Sequence, residues 1–380
     1  MDFQRSEEQV LLSDGARRYV EQSFDYETRR KALGGSEAWS AERWRHIAEM
    51  GWLALPLPED QGGLGGSPAD YAILMESLGG GLLPEPLVPV VQAARLLLAA
   101  GGADDMLAAT AAGDARPIVA HGEIAAGGLL SYVETRAERS GGGWRLSGAK
   151  SLVLGGAAAT HYIISARTAG EAGDREGISL FVVPADHPGL GRRDVRLTDD
   201  SFCADLDFTG LELPADALLG REGEGHGPLR EGMAWLQLGL HAEALGVMDK
   251  ALWTTRDYVR TRQQFGTTLS TFQAVQHRLA DMAMEVEMAR SMLFRLLAAF
   301  GQGGATLDRT LAAAKAQFGQ GGFFVGAQSV QLHGGMGMAD DYVIGMLFKR
   351  LLLLRNLHGA PNDALLALSR QPEPLFEERI

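Results

Sequence analysis

Three short segments in the C-terminal half of the chain carry residues that suit a phosphate-bearing ligand. Arg262 offers a forked, permanently charged donor, Gln273 and Gln331 offer amide hydrogen-bonding groups, and Gly334-Gly335 let the backbone approach a ligand closely. Taken singly, each segment also fits a structural role, since Arg-x-x-Phe-Gly is typical of a helix end and a glycine-rich segment is typical of a loop. The segments are Arg262-Gln263-Gln264-Phe265-Gly266, Thr271-Phe272-Gln273-Ala274 and Gln331-Leu332-His333-Gly334-Gly335-Met336-Gly337.

Helical signals dominate residues 1–116, upstream of those segments. Ser6 with Gln9 predicts a capping box at the first helix. Ser40 predicts a second N-cap, and Ser67-Pro68 opens a further helix that Gly79-Gly80-Gly81 ends. We therefore expect an N-terminal helical domain.

Residues 117–222 have the pattern of a β domain. Short apolar or alternating runs are separated by Gly, Pro and Asp, which is typical of an antiparallel barrel or sandwich. The predicted strands cover 144–146, 151–154, 162–166, 178–183 and 204–208.

Helical periodicity returns over residues 223–380 and carries the three ligand-type segments. Long helices are predicted at 228–262, 270–300, 307–332 and 340–370, with breaks at Gly266 and at Gly301 to Gly304. Four long helices with short connections indicate a bundle. The predicted fold is thus α+β, with a helical domain, a β domain and a C-terminal four-helix bundle.

Charge and composition restrict the partners. The formal charge of −13 arises from 35 basic and 48 acidic residues, and such a field repels nucleic acid. A single cysteine, Cys203, excludes an internal disulfide framework and fits a reducing cytoplasm. We see no signal peptide, no apolar run near the ~20 residues of a membrane span, and no metal site.

The order of the domains and the three segments together resemble the acyl-CoA dehydrogenase family. Further similar stretches are Leu57 to Gly66, Trp144 to Lys150 and Leu213 to Gly220. Within the family, Ser147 to Leu154 and Lys349-Arg350-Leu351 look closest to the small subunits of bacterial pimeloyl-CoA-type dehydrogenases. The resemblance implies an FAD enzyme that oxidises the α,β bond of acyl-CoA thioesters.

The resemblance also implies roles for the C-terminal residues. Arg262 matches an arginine that contacts the FAD of a neighbouring subunit, with Phe265, Phe272 and Gln273 beside it. Gln331 and the pair Gly334 and Gly335 match the loop that approaches the adenosine side of the cofactor.

Two departures from the family concern the flavin ring. The family's Thr-Glu-Pro-x-x-Gly-Ser-Asp segment is replaced by residues 122–129, which lack the Thr, the Ser and the Asp. Its Trp-Ile-Thr segment is replaced by Leu152-Val153-Leu154. The simplest interpretation is that these aliphatic residues belong to the core of the β domain.

A third departure concerns the catalytic base, a carboxylate that takes the α-proton. His358, in the last predicted helix, occupies the usual position of that Glu, and Leu236 occupies the alternative position. Glu243 lies seven residues beyond Leu236 on nearly the same helix face, and Glu231 lies before it. Glu243 and His358 remain candidates, each with a structural alternative.

Three hypotheses follow. The chain is a subunit without the catalytic Glu that clamps the FAD of a second dehydrogenase subunit in an α2β2 complex, with electron-transferring flavoprotein as the oxidant that the family implies. Alternatively it is an active homo-oligomeric acyl-CoA dehydrogenase that uses Glu243 or His358. The third possibility is a flavin-free scaffold or acyl-CoA-binding protein.

Overall fold

The computed structural model describes residues 4–34 and 39–370, which form two compact units. The first unit comprises 4–31, 72–83 and 237–370, and the second comprises 32–34, 39–71 and 84–236. The helices Pro68–Gly79 and His226–Thr261 contribute residues to both units.

Eleven α-helices lie within the described ranges. They are α1 (Glu7–Ser23), α2 (Tyr26–Leu33), α3 (Ala41–Glu49), α4 (Pro68–Gly79), α5 (Leu87–Ala100), α6 (Asp104–Ala111), α7 (His226–Thr261), α8 (Gln273–Phe300), α9 (Gly304–His333), α10 (Val343–Asn356) and α11 (Pro361–Ser369). The predicted capping box is present, because the Ser6 hydroxyl accepts from the Gln9 amide at 3.2 Å and the Gln9 side chain accepts from the Ser6 amide at 3.1 Å. Ser40 caps α3 as predicted.

The second unit contains a sheet of eight strands. They are β1 (Pro117–Ala120), β2 (Arg136–Ser140), β3 (Gly143–Leu154), β4 (His161–Arg167), β5 (Ile178–Pro184), β6 (Gly191–Arg196), β7 (Phe202–Leu213) and β8 (Leu218–Leu219). The order is β6-β7-β3-β2-β4-β5-β8, with β1 paired to β4. Most pairs are antiparallel, but β4 is parallel to both β1 and β2.

Two predicted strands are in fact one. The runs 144–146 and 151–154 both lie on β3, which pairs with β7 through two register shifts, one of them between Lys150 and Val153. Such bulges re-aim side chains without ending the strand. Strand β6 is polar and lies at the edge of the sheet. Apolar and polar residues do not alternate along it, so the sequence did not predict a strand there.

The core of the second unit lies between α5 and the sheet. Helix α5 is apolar on nearly every face and is buried over most of its length. It shares a cluster of buried side chains with the strands, including Val119, Ile163 and Leu180. Burial of this apolar surface anchors the sheet that carries residues 117–219.

The C-terminal helices belong to the first unit, apart from the N-terminal part of α7. Helices α4 and α7 cross closely, since a Cβ at Gly246 would lie 2.0 Å from the Glu76 carbonyl oxygen and one at Gly79 would lie 2.4 Å from that of Glu243. Glycine is therefore required at both positions, and the crossing fixes the part of α7 that carries Glu243.

The prediction of one helix over 340–370 was wrong. Leu357 is extended, His358 has φ of +56°, Gly359 has φ of +102°, and Pro361 starts α11. This turn separates α10 from α11. In the described ranges no helix has the length and apolar character needed to cross a membrane.

Candidate functional site

The connection between α7 and α8 is a tight hairpin that begins at Arg262. Strands β9 (Gln263–Gln264) and β10 (Thr267–Thr268) pair antiparallel, and the Leu269 amide donates to the Arg262 carbonyl oxygen at 2.9 Å. Phe265 and Gly266 form the turn with φ of +55° and +80°. Positive φ at both central residues is the geometry of a type I′ turn, which suits the twist of a hairpin.

Phe265 is presented to solvent in an unfavourable conformation. Its side chain is 89% exposed, and a bulky residue at positive φ is uncommon. The ring meets Phe272 edge-on at a centroid distance of 6.1 Å, immediately before α8. A strained, exposed aromatic side chain is a reason to look for a ligand or partner that covers it.

Arg262 and Gln273 flank this aromatic pair and are exposed as well. Within the described ranges the Arg262 guanidinium forms no ion pair or side-chain hydrogen bond, and Gln273 makes no side-chain hydrogen bond. The forked charge of Arg262 is thus available to an anion from outside the chain.

The end of α9 presents the other predicted ligand-type segment. Gln331 lies exposed in the last turn, and the Gly334 amide caps the helix by donating to the carbonyl oxygens of Gln331 and Val330. Among the described residues, ideal Cβ atoms at Gly334 and Gly335 would meet nothing within 4 Å. Gly334 has φ of +61°, but Gly335 is not left-handed, so neither backbone conformation nor packing within the chain requires glycine at 335.

An aromatic cluster joins these two regions. The ring of Tyr258, one turn before Arg262, stacks on His333 at 4.2 Å with an interplanar angle of 27°. Tyr342 also approaches His333, at 5.2 Å between centroids. The structure therefore brings the ends of α7 and α9 together. We call the seven predicted residues at these two ends, in the hairpin and at the start of α8 the clamp: Arg262, Phe265, Phe272, Gln273, Gln331, Gly334 and Gly335.

A buried polar network lies in the second unit at the start of residues 122–129, one of the segments that the resemblance matched to a flavin-ring contact. Lys150 is buried, and its ammonium donates to Glu123 Oε1 at 2.7 Å and to Ser165 Oγ at 3.1 Å. Burial lowers the pKa of Lys150 to about 8, although Glu123 opposes this shift. Glu123 also accepts from the amide and hydroxyl of Thr135. The network fixes the start of the 122–129 segment against β3.

The interpretation of residues 152–154 as core was wrong for Leu152. Val153 is buried, but Leu152 is 53% exposed and has φ of +52° at the bulge of β3. The Leu152 amide donates to Asp205 Oδ1 at 3.0 Å, which holds this conformation. Ile124 and Leu129 in the 122–129 segment are exposed too. These positions present aliphatic side chains outward, with no hydroxyl or aromatic ring.

Glu243 is not an accessible base. The residue is 5% exposed, and Arg350 holds both carboxylate oxygens, with Nε to Oε1 at 2.7 Å and Nη2 to Oε2 at 2.8 Å. Such a bidentate pair satisfies the carboxylate inside the first unit. The expectation that Glu243 is an ordinary exposed or capping Glu was also wrong.

The other positions near the start of α7 offer no base either. Leu236 is buried. Glu231 accepts from Arg95 Nη2 at 2.8 Å and from Trp235 Nε1 at 2.9 Å. All three residues lie in the second unit, where two hydrogen bonds already occupy the Glu231 carboxylate.

His358 lies in the turn between α10 and α11, where the sequence predicted a helix. The residue keeps exposed surface, but desolvation of the imidazole and the nearby positive charge of Lys315 lower its pKa to about 4. Lys315 itself donates to the carbonyl oxygens of Leu354 and Leu357. His358 is therefore neutral near pH 7 and only a weak proton acceptor.

Two groups of residues were missed from the sequence. The Glu123–Lys150 pair joins positions 27 residues apart, and only the Gly-x-Lys pattern pointed to Lys150. His333 lay inside a quoted segment without an assigned role, although its spacing of four from Ser329 allows a bond along α9. In the described part of the chain no group of His, Cys, Asp and Glu side chains is arranged to hold a metal ion.

Comparison with known proteins accounts for most of the chain. Residues 6–106, 119–209 and 223–371 match the models of the N-terminal, middle and C-terminal domains of acyl-CoA dehydrogenase, respectively.

Individual proteins are similar over nearly the whole length. The probable acyl-CoA dehydrogenase FadE25 of Mycobacterium tuberculosis is 30% identical over 332 residues, which cover 85% of each chain. A variant of the Tcur3481-Tcur3483 steroid ACAD is 31% identical with a TM-score of 0.85, covering 96% of this chain and 97% of that one. The ChsE4-ChsE5 complex from Mycobacterium tuberculosis contains a chain that is 25% identical with a TM-score of 0.87, covering 98% of this chain and all of that one.

Proposed function

The chain belongs to the acyl-CoA dehydrogenase family, and on that premise we propose that it is the FAD-clamping, non-catalytic subunit of a heteromeric acyl-CoA dehydrogenase. A second subunit of the same family supplies the catalytic Glu and the polar contacts to the flavin ring. The complex is an α2β2 tetramer in the cytoplasm.

One contrast in the structure carries this proposal. Arg262 and Phe265 are exposed just beyond the end of α7, and the Arg262 guanidinium has no partner among the described residues, whereas Glu243 is buried and held at both oxygens by Arg350. The exposed residues that would contact a neighbour's FAD are present. A carboxylate that would act on an acyl group bound to this chain is either absent or held in an ion pair. A subunit with these properties is useful only beside a complete one.

The clamp fits an FAD held mainly by a neighbour. Arg262 would pair with the pyrophosphate, Phe265 would pack, and Gln273 would hydrogen-bond. Gln331 and the open space above Gly334 and Gly335 suit close approach of the adenosine side. When bound, FAD accepts the hydride that leaves the β-carbon of the acyl group.

The proposed substrate is a CoA thioester with a bulky or extended acyl group, desaturated between its α and β carbons. The support is by likeness, since one similar structure is named a steroid ACAD and the resemblance is to pimeloyl-CoA-type subunits. Loss of one of two acyl sites leaves room for a larger acyl group in the other. Electron-transferring flavoprotein is the proposed acceptor.

The first test is the visible spectrum of the purified chain, expressed alone and together with candidate partner subunits. A colourless chain that becomes part of a yellow, active complex supports the clamp role. Tight stoichiometric FAD on the chain alone, bleached by an acyl-CoA, contradicts it and favours the homo-oligomeric enzyme. In that case His358→Ala abolishes the bleaching.

Arg262→Ala then separates the clamp from a flavin-free scaffold. We expect the complex with this variant to lose FAD on gel filtration, because an unpaired phosphate charge remains. Arg260→Ala is the matched control, since Arg260 is an exposed arginine two residues earlier on α7. Equal FAD retention by both variants contradicts the clamp and leaves the scaffold.

A further inference from the structure

The hydrogen bonds of His333 define its protonation. His333 Nδ1 lies 2.8 Å from the Ser329 carbonyl oxygen, which can only accept, so Nδ1 carries the hydrogen. The Tyr342 hydroxyl lies 3.3 Å from Nε2. In the neutral ring Nε2 is an acceptor, and the phenol donates to it.

This one imidazole links three separate parts of the first unit. It belongs to α9, it is stacked on Tyr258 of α7, and it accepts from Tyr342 directly before α10. The ring is 3% exposed. His333 also lies between two residues of the clamp in the sequence, because Gln331 lies two residues before it and Gly334 follows it.

Tyr258 connects the imidazole to the rest of the clamp. Its carbonyl oxygen accepts from the Arg262 amide at 2.8 Å, which sets where the chain leaves α7. A displacement of the His333 ring would therefore also displace the hairpin after α7 and the glycine turn after α9.

We propose that His333 is the positioning residue of the clamp: as a neutral imidazole protonated at Nδ1, it holds the end of α9 against the end of α7, and its protonation in mild acid loosens the hold on FAD. The expected effect on FAD retention rests on the proposed function, whereas the expected protonation state of the imidazole does not.

The surroundings of the ring give the direction of the pH effect. The groups that face it are the phenol of Tyr258, the hydroxyl of Tyr342 and the carbonyl of Ser329, and no charged side chain within the described ranges shifts it. Burial lowers the pKa of His333 below the ordinary 6.5, and the bond to Ser329 opposes this only in part. The arrangement is thus complete above pH 6.5 and is lost as the pH falls through the lowered value.

Tyr342→Phe is the decisive variant, because it keeps the aromatic ring and removes only the donor to Nε2. The hydroxyl donates to Nε2 of the neutral ring and can accept from Nε2–H of the cation, and the charge-assisted bond of the cation is the stronger one. Its removal therefore costs the cation more, and we expect the pKa of His333 to fall further below 6.5. Tyr258→Phe is the matched control, since the Tyr258 hydroxyl makes only a 3.5 Å contact to the His333 carbonyl oxygen and its ring stack is retained.

Two measurements test the proposal. The first is nitrogen and proton NMR of the full chain labelled at histidine, with His333 assigned by comparison with His333→Gln. The expected result is an Nδ1–H tautomer that titrates below 6.5 in the unmodified chain and lower still in Tyr342→Phe. An Nε2–H tautomer, or an unchanged titration in Tyr342→Phe, overturns the proposal.

The second measurement is FAD retention by the complex with its partner subunit as a function of pH. The acid limb should move to lower pH in Tyr342→Phe by the same amount as the NMR titration, and should stay in place in Tyr258→Phe. If FAD is lost at the same pH with and without Tyr342→Phe, the proposal is overturned. If Arg262→Ala still loses FAD in that case, the clamp role remains. Indifference to Arg262→Ala removes the clamp role itself, and the NMR result then still decides the state of the ring.

Discussion

Arg350 and Glu243 form a bidentate ion pair between α10 and α7, 107 residues apart in the chain. The side chains are only 14% and 7% exposed, respectively. The carboxylate was a candidate base from the sequence, but here it is neutralised by a structural partner. The pair joins two helices of the first unit and accounts for Glu243 without a catalytic role.

Glu243→Ala should therefore destabilise the chain. Removing one member of a buried pair leaves the other charge uncompensated, at a cost of about 3–5 kcal/mol. Chemical denaturation monitored by circular dichroism measures the loss. The double variant Glu243→Met with Arg350→Met should recover most of it, because no unpaired charge remains.

The control for this prediction is Glu27→Ala. Glu27 pairs with Lys31 on the exposed surface of α2, where water screens the two charges, so its removal should leave the stability nearly unchanged. A Glu243→Ala chain with unchanged stability, whose complex with the partner subunit has lost turnover, would refute the structural role.

Lys150→Met should change how stability depends on pH. Burial raises the pKa of Glu123, but Lys150 and the hydrogen bonds from Thr135 and residue 134 outweigh it, so the net shift is downward from 4.5. The stabilisation from the ionised carboxylate is thus present above pH 4.5 and is lost as the pH falls through the lowered value. Without Lys150 the pKa of Glu123 rises, and the acid loss moves to higher pH.

Unfolding free energies from acid to neutral pH test this prediction. Arg145→Met is the matched control, because Arg145 lies on the same strand and pairs with Glu212 at the exposed surface. An acid transition at the same pH in Lys150→Met and in the unmodified chain would show that the buried pair does not set the ionisation of Glu123.

Leu152→Gly should stabilise the chain by about 1 kcal/mol. A side chain at φ of +52° costs about 1–2 kcal/mol relative to a right-handed conformation, and glycine avoids this cost. Leu152 is largely exposed, so little packing is lost. Thermal unfolding should show a higher midpoint, whereas the control Val153→Gly, at a buried neighbour, should lower it. A lower midpoint for Leu152→Gly would mean that the leucine packs in solution.

The local parts of the fold were predictable from the sequence. The capping box of Ser6 and Gln9 spans three residues, and the Ser40 cap is equally short in range. The turn at 357–360 was also signalled, because Gly359 and Pro361 both disfavour a continuing helix, and the helical period across them was given too much weight.

The unpredicted features depend on contacts between distant parts of the chain. The projection of Leu152 arises from a register shift between β3 and β7, which no local pattern encodes. The partner of Glu243 is on another helix, and the tautomer of His333 depends on Tyr342. Residue types could suggest the clamp, but only the fold shows that Tyr258 and His333 bring its two parts together.

Gly335→Ala should separate folding from cofactor retention. An added Cβ at Gly335 meets no atom within 4 Å, and the backbone is not left-handed, so the thermal midpoint should be nearly unchanged. The complex with the partner subunit should retain FAD about tenfold more weakly, because the methyl group occupies the space that we propose for the cofactor. The measurement is FAD release from the complex, followed by fluorescence.

Gly337→Ala is the control from the same turn. There a Cβ would lie 2.8 Å from the Val330 carbonyl oxygen, so overpacking of about 1–3 kcal/mol should appear in the free chain. Both variants add one methyl group, at positions two residues apart. At Gly337 the methyl group is obstructed by the subunit itself, whereas at Gly335 it would be obstructed by the bound cofactor. If Gly335→Ala leaves FAD retention unchanged, the open space above this glycine has no part in binding the cofactor. If it instead lowers the thermal midpoint of the free chain, the requirement for glycine comes from within the subunit.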